Sequence, residues 1–362
     1  MFGITSLRVW FRFLRWMRPN ITLELKLVHF YRYIVLKNLA QNGVFEYFKE
    51  PHTFEEFVDH FQVVVEDSYA PDLMKTLTKF KILVEENQHY HLNHESKDPV
   101  LKYLLEYTPE EIPDEIPSFL IAPELLNEMN ELFQEYAGSI FKRLQGNFYG
   151  FTGGVQLFNW DSTFTLSLYK NGRECALLMA KANKLKNGRV LDVGCANGHG
   201  TADLWGRLHS RGNEIYGIDR SEDLLKIAQD EGEFTRWLKN QGYNPPYDSP
   251  FPKFSKMNIE ELSFPDNYFD LIVANYVIHW FTDQQKAIKE MARVLKPGGK
   301  ICGTQAGLDV SAAQWAYYIL RTVKGVSGTA PEKDLRRYFA NAGLRLSRRT
   351  MAGFFCAVKP KK

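Results

Sequence analysis

The sequence predicts an α/β protein: a doubly wound, mostly parallel sheet closed by an antiparallel hairpin, preceded by a mainly helical N-terminal unit. Three observations predict it. From about Leu166 onward, short apolar runs alternate with longer stretches at helical spacing, the pattern of a parallel sheet covered on both faces. The stretch "RVLDVGCANGHGT" (Arg189 to Thr201) is a strand that ends in glycines and opens into a helix. Near the C-terminus, two strand-like runs are separated only by Met351 and Ala352, which permits only antiparallel pairing.

Length and composition set the outer bounds. A chain of 362 residues accommodates two domains, at roughly 100–200 residues each. With a net charge of +2, nothing global demands a nucleic-acid partner. The four cysteines (Cys175, Cys195, Cys302, Cys356) are scattered, with neither a CxxC pair nor a Cys/His zinc spacing. That fits free thiols in a reducing, cytoplasmic compartment and no metal site. No apolar run approaches the ~18–20 residues that span a bilayer. The start, "MFGITSLRVWFRFLRWMRP", places Arg8, Arg12 and Arg15 on one helical face among aromatic residues, and Pro19 ends that helix. It reads as a docking helix for a partner subunit. The alternative is a weak membrane-surface contact through residues 1–18, which would make the protein membrane-associated.

Residues 1–95 carry the N-terminal unit. "TLELKLVHFYRYIVLKNLAQNGVFEYF" (22–48) has helical spacing closed by Gly43, and "TFEEFVDHF" opens with Thr53 and Glu56 in capping-box register. "APDLMKTLTKFKILVEENQHYHLN" reads as a third helix followed by two strands about a polar turn at Glu85–Gln88. Helix–helix–helix–hairpin is the order of a winged helix. Residues 21–94 hold seven Lys/Arg against eleven Asp/Glu, the wrong balance for a phosphate backbone. The unit is therefore expected to dimerise or to cover substrate, with no nucleic acid. Residues 96–150 form a Pro-rich linker and a connecting helix. Residues 151–362 form the sheet domain, and the Gly- and aromatic-rich "GNFYGFTGGVQLFNWDSTF" (146–164) runs across its start, suiting a flap over a ligand or an aromatic-packed domain seam.

Within that domain the expected order is helix 166–184, strand 189–193, helix 200–211, strand 214–218, helix 222–230 and a long insertion. Strand 269–274, helix 283–295, strand 299–305, helix 331–342 and strands 344–350 and 353–358 follow. The glycine loop lies beyond the carboxyl end of the first strand, where doubly wound sheets bind ligands. Its spacing, Gly194-x-Ala196-x-Gly198-x-Gly200, is not that of dinucleotide sites, and no P-loop Lys-Ser/Thr pair follows. Asp192 would repel a pyrophosphate and attract an ammonium. Asp219, about twenty residues past the loop, can accept two ribose hydroxyls. A ribose and a positive end without phosphate describe S-adenosylmethionine.

"VLDVGCANGHGT", "YGIDRSEDLL", "NIEELSFPDNYFDLIVANYVIHWF" and "KEMARVLKPGGKI" resemble, in order and spacing, the motifs of class I S-adenosylmethionine-dependent methyltransferases. The resemblance covers about residues 185–305, and the terminal hairpin extends it to 358. It implies a Rossmann-like sheet of seven strands. It also implies that Gly194 and Gly198 admit the methionine part, with Cys195 and Ala196 completing the loop. Asp192 then steadies the loop and the amino group, Asp219 holds the ribose, and Arg220, Asn258 and Ile259 border the adenine. Asn275, at the end of the fourth strand, faces the cofactor. Ala196 stands where this family usually has glycine, and Asn258 where it often has an acid.

Joined to a winged-helix-like unit, the sheet resembles the small-molecule O-methyltransferases of the caffeate and hydroxyindole type. That resemblance implies His279 as general base and Asp283, four residues on, as its orienter. The first motif and "VLKPGG" look more like the broad family that methylates carbon, nitrogen, oxygen or arsenic, and a His-Trp pair at this place also resembles enzymes that esterify small carboxylic acids. The expectation is therefore a methyltransferase acting on a small molecule, at oxygen first, with carbon, nitrogen or carboxylate acceptors as alternatives, working as a homodimer. A cofactor-sensing DNA-binding regulator is the reading from another class.

Overall fold

A computed structural model describes residues 15, 29–117, 138–148, 167–247, 249–305, 311–324, 326–328, 330–349 and 353–361. The basic aromatic start (apart from Arg15), the first part of the expected connecting helix and the aromatic segment 149–166 lie outside them. The chain divides into two compact units. One comprises residues 20–151 with 311–324, the other residues 1–19, 152–310 and 325–362.

The first unit contains α1 (29–41), α2 (Val44–Tyr47), β1 (His52–Thr53), α3 (Phe54–Phe61), α4 (Tyr69–Lys79), β2 (Leu83–Glu86), β3 (His89–Leu92), α5 (Pro99–Leu104) and α6 (Ile140–Leu144). The capping box forms: Glu56 N–H donates to Thr53 Oγ1 at 3.1 Å, and Thr53 N–H to Glu56 Oε2 at 2.8 Å. The strands pair antiparallel in the order β1-β3-β2. The β2–β3 turn is Asn87-Gln88, both at positive φ, which matches the twist of a two-residue hairpin. Glu85 and Glu86, expected in that turn, continue β2 instead. Phe30, Leu36, Phe48, Phe57 and Leu73 are fully or almost fully buried in the unit.

One correction concerns the domain boundaries. Residues 96–117 and 138–148 fold with the N-terminal residues rather than as a separate linker, and the sheet domain surrenders residues 311–324 to them. These carry α12 (Ser311–Leu320), a helix the sequence reading did not place. Tyr318 fastens it: its hydroxyl donates to Asp72 O at 2.7 Å and meets Thr76 Oγ1 at 2.6 Å, while Tyr69 donates to Tyr318 O at 3.0 Å.

The second unit contains α7 (Ser167–Ala180), β4 (Arg189–Val193), α8 (His199–Leu208), β5 (Glu214–Asp219), α9 (Glu222–Ala228), α10 (Glu231–Asn240), β6 (Lys253–Lys256), β7 (Phe269–Asn275), α11 (Gln284–Val294) and β8 (Leu295–Thr304). It ends in α13 (Glu332–Asn341), β9 (Arg345–Arg349) and β10 (Phe354–Val358). The seven strands run in the order β6-β5-β4-β7-β8-β10-β9. The first five are mutually parallel, and β10 is antiparallel to both β8 and β9. Two apolar clusters cover the sheet. One gathers Ile218, Ile272, Ile288, Met291 and Phe355, the other Leu177, Leu204, Trp205, Leu238 and Val273. Runs such as "LIVA" in β7 are apolar throughout because a parallel strand is buried on both faces. The order steps from β4 to β5 on one side and to β7 on the other. Crevices for ligands open at that reversal, beyond the carboxyl ends of the strands. No described helix is long and apolar enough to cross a membrane.

Candidate active site

The reversal point is built by the glycine loop. Gly194 has φ +64°, and a Cβ there would lie 2.2 Å from Val277 Cγ2, so the loop passes Val277 as closely as backbone alone can. Ala196 also has positive φ, +48°, and takes it because Asp219 grips it: Ala196 N–H donates to Asp219 Oδ2 at 3.0 Å. Cys195 is buried, its N–H bonded to Ile218 O at 3.0 Å, and burial pushes its thiol pKa well up, making it inert filler. Gly198, at φ +86°, is the N-cap of α8.

Two carboxylates face this loop. Asp192 is buried at the end of β4 and accepts from Thr201 Oγ1 at 2.6 Å. Burial pushes its pKa up to about 6, against the lowering effects of the Thr201 bond and the Arg173 charge. Asp219 also has a raised pKa, chiefly from burial. Its Oδ1 accepts from Ser221 N–H at 2.8 Å, and its Oδ2 from Ala196 N–H. The backbone N–H of Arg220 also favours the carboxylate, and of its roughly four acceptor positions the remainder can receive a hydroxyl donor. Arg220 is exposed next to it. Asn258 and Ile259 follow β6. Ile259 is buried, while Asn258 is exposed and turns Oδ1 onto Glu260 N–H at 3.1 Å.

Asn275 ends β7, half-buried, with Thr304 Oγ1 donating to its Oδ1 at 3.4 Å. His279 follows in the short turn Ile278–Trp280 and is buried. Its Nδ1 lies 3.2 Å from Gln305 Oε1, and burial depresses the ring's pKa to about 4. The amide oxygen only accepts, so the pair requires Nδ1–H and leaves Nε2 with a lone pair. Here the expectation for Asp283 is corrected. Its side chain caps α11, accepting from Lys286 N–H at 2.9 Å, and the group brought to His279 is Gln305. An i+4 spacing suggested otherwise because the chain turns between Trp280 and Gln284 rather than continuing as a helix. Gln305, like Thr201 and Val277, was missed; the only signal for it was its position just past the end of β8.

The residues present fit the expected cofactor. A loop that close approach restricts to glycine, a carboxylate with acceptor capacity left at the crevice and a second buried carboxylate suit a ribose beside a cationic amino acid.

Comparisons with known proteins agree. The family model "Methyltransferase domain" matches residues 191–303. An uncharacterized methyltransferase of Schizosaccharomyces pombe is 32% identical over 140 residues, covering 39% of this chain and 47% of that protein. The ubiquinone/menaquinone biosynthesis C-methyltransferase UbiE of Vibrio cholerae is 34% identical over 113 residues, covering 31% and 39%. The chain thus spans less than half the length of either relative. Over nearly its whole length it shares the fold of two solved structures. The CurJ carbon methyltransferase gives a TM-score of 0.63 at 14% identity, covering 96% of this chain and 98% of that one. The DszA carbon methyltransferase gives 0.62 at 16%, covering 96% and 94%. Motif order, sheet order and family match together make residues 191–303 an S-adenosylmethionine-dependent methyltransferase domain.

Proposed function

We propose that the chain methylates a small molecule at a carbon made nucleophilic by a neighbouring enol or phenol hydroxyl. The observation that carries this reading is the His279 ring: buried, uncharged at neutral pH and tethered through Nδ1 to Gln305. A base this weak is poorly matched to stripping a free phenol of its proton. It is well suited to accept a hydrogen bond at Nε2 from the acceptor's hydroxyl while the adjacent carbon attacks. Bound in the crevice, S-adenosylmethionine supplies a methyl group on a cationic sulfur that leaves as a neutral thioether. Asp219 holds the ribose and orders the loop through Ala196, and Gly194 and Gly198 let backbone line the methionine part. Asp192 balances the amino group, Arg220, Asn258 and Ile259 border the adenine, and Asn275 and His279 orient the acceptor. As the new C–C bond forms, the hydroxyl becomes that of a protonated carbonyl, far more acidic than the free phenol, and only then does its proton pass to Nε2 and on to solvent. Carbon is further favoured by the similarity to a protein named as a C-methyltransferase.

A second reading, oxygen as acceptor, draws support from the N-terminal unit. The sequence of its helices and hairpin resembles that of a winged helix, and we assign it a dimerising or substrate-covering role. Incubation with methyl-labelled S-adenosylmethionine and a panel of hydroquinones, β-diketones, phenols and carboxylic acids tests both. A labelled C–CH3 product from the first two classes is expected. Exclusive O–CH3 products would overturn the carbon assignment. His279→Ala should remove most turnover with cofactor affinity kept, whereas unchanged turnover would remove His279 from the account.

A further inference from the structure

Resting on the assignment of His279 above, we infer that Ser327 and Gln284 form a bracket that sets the position of the His279 ring. The histidine is held at two ends. At the ring end it has Gln305. At the backbone end its carbonyl oxygen receives two donors from the segment between α12 and α13: Gly328 N–H at 3.1 Å and Ser327 Oγ at 3.2 Å. Both residues are in turn tied to the first residue of α11, where Gln284 Nε2 donates to Ser327 Oγ at 3.1 Å and to Gly328 O at 2.6 Å. The donor count closes. Ser327 gives its one hydrogen to His279 and accepts from Gln284, and the amide spends its two hydrogens on two acceptors. A carbonyl with two donors fixes the plane of the 279–280 peptide and so the direction from which the side chain leaves the backbone.

Packing does not replace these bonds. A cavity of about 510 Å³ adjoins the bracket, lined by Thr282, Gln284, Ser327, Gly328, Ala330 and Tyr338 among others. The segment therefore has room to move once its hydrogen bonds are gone. Ser327 and Gln284 are positioning residues, acting on the acceptor through His279 and making no contact with it in this scheme.

The test reads the ring directly and needs no acceptor. In the full chain saturated with S-adenosylhomocysteine, imidazole nitrogen NMR follows the tautomer and titration of His279, assigned by His279→Ala. Wild type should show a single Nδ1–H tautomer. Ser327→Ala and Gln284→Met should give mixed tautomers. Ser327→Thr, which keeps the hydroxyl, should restore the wild-type signature, a rescue that a purely structural defect would not show. If Gln284→Met does not fold, the serine pair decides alone. A ring that stays locked in Ser327→Ala would overturn the bracket, whatever its turnover. Loss of turnover in His279→Ala tests the underlying assignment separately.

Discussion

Gly194→Ala is the sharpest perturbation of the loop. Two costs add. The backbone sits at φ +64°, where a non-glycine residue is strained by about 1–2 kcal/mol. The new methyl would stand 2.2 Å from Val277 Cγ2 and 3.2 Å from Val277 Cβ, an overpacking of the kind that costs about 1–3 kcal/mol. The sum, about 2–5 kcal/mol, is a large share of a domain's stability. Urea unfolding, read as a shift in midpoint at constant slope, measures it. Val277→Ala separates the parts by removing both Cγ atoms. The double variant should recover the overlap and keep the backbone strain, giving a coupling energy of about 1–3 kcal/mol. An unchanged midpoint in Gly194→Ala, or zero coupling in the cycle, would refute the close approach and the reason given for glycine there.

Other outcomes follow from the titrating groups. An unfolded His279 gains a proton near pH 6.5, whereas the folded ring resists until about 4. The unfolded state therefore binds more protons in that window, and stability falls as pH drops through it, by about 3 kcal/mol. His279→Asn should flatten this part of the acid limb in urea titrations, and an unaltered limb would mean the ring is not desolvated. Asp192 titrates near 6, so calorimetric affinity for the cationic cofactor should decline as pH drops below that point. Thr201→Val removes a bond that favours the carboxylate, so the decline should begin at higher pH. An affinity indifferent to pH in both proteins would exclude Asp192 from cofactor binding. Tyr318→Phe breaks the bonds to Asp72 and Thr76 and should lower the melting temperature of the first unit while leaving cofactor affinity unchanged.

Much of the sheet was legible because its signals are local. The apolar runs of β4, β5, β7 and β8 are buried on both faces, and the helices between them show one apolar stripe. β6 was implied only by the resemblance to a seven-stranded family. Its four residues, "KFSK", sit at a sheet edge after a Pro-rich insertion and include no fully buried residue, so no periodicity marks them. α10 was lost in the same insertion. α12 was missed for another reason: its partners, Tyr69, Asp72 and Thr76, lie some 240 residues away, and only the fold brings them together. The loop residues Asp192, Gly194 and Asp219 were legible because backbone geometry and charge restrict what can stand there. The surroundings of His279 were not. Gln305 meets it across 26 positions of sequence, and Asp283, nearer in the chain, was drawn away by the unsatisfied N–H groups at the start of α11.

The measurement closest to the central claim is calorimetric titration of S-adenosylmethionine and S-adenosylhomocysteine into the wild type and Asp219→Ala. The carboxylate both offers the ribose acceptors and anchors Ala196 N–H, so the variant should bind at least tenfold more weakly, a loss of ~1.4 kcal/mol or more. Equal affinity in the two proteins, or no binding by the wild type, would contradict the account.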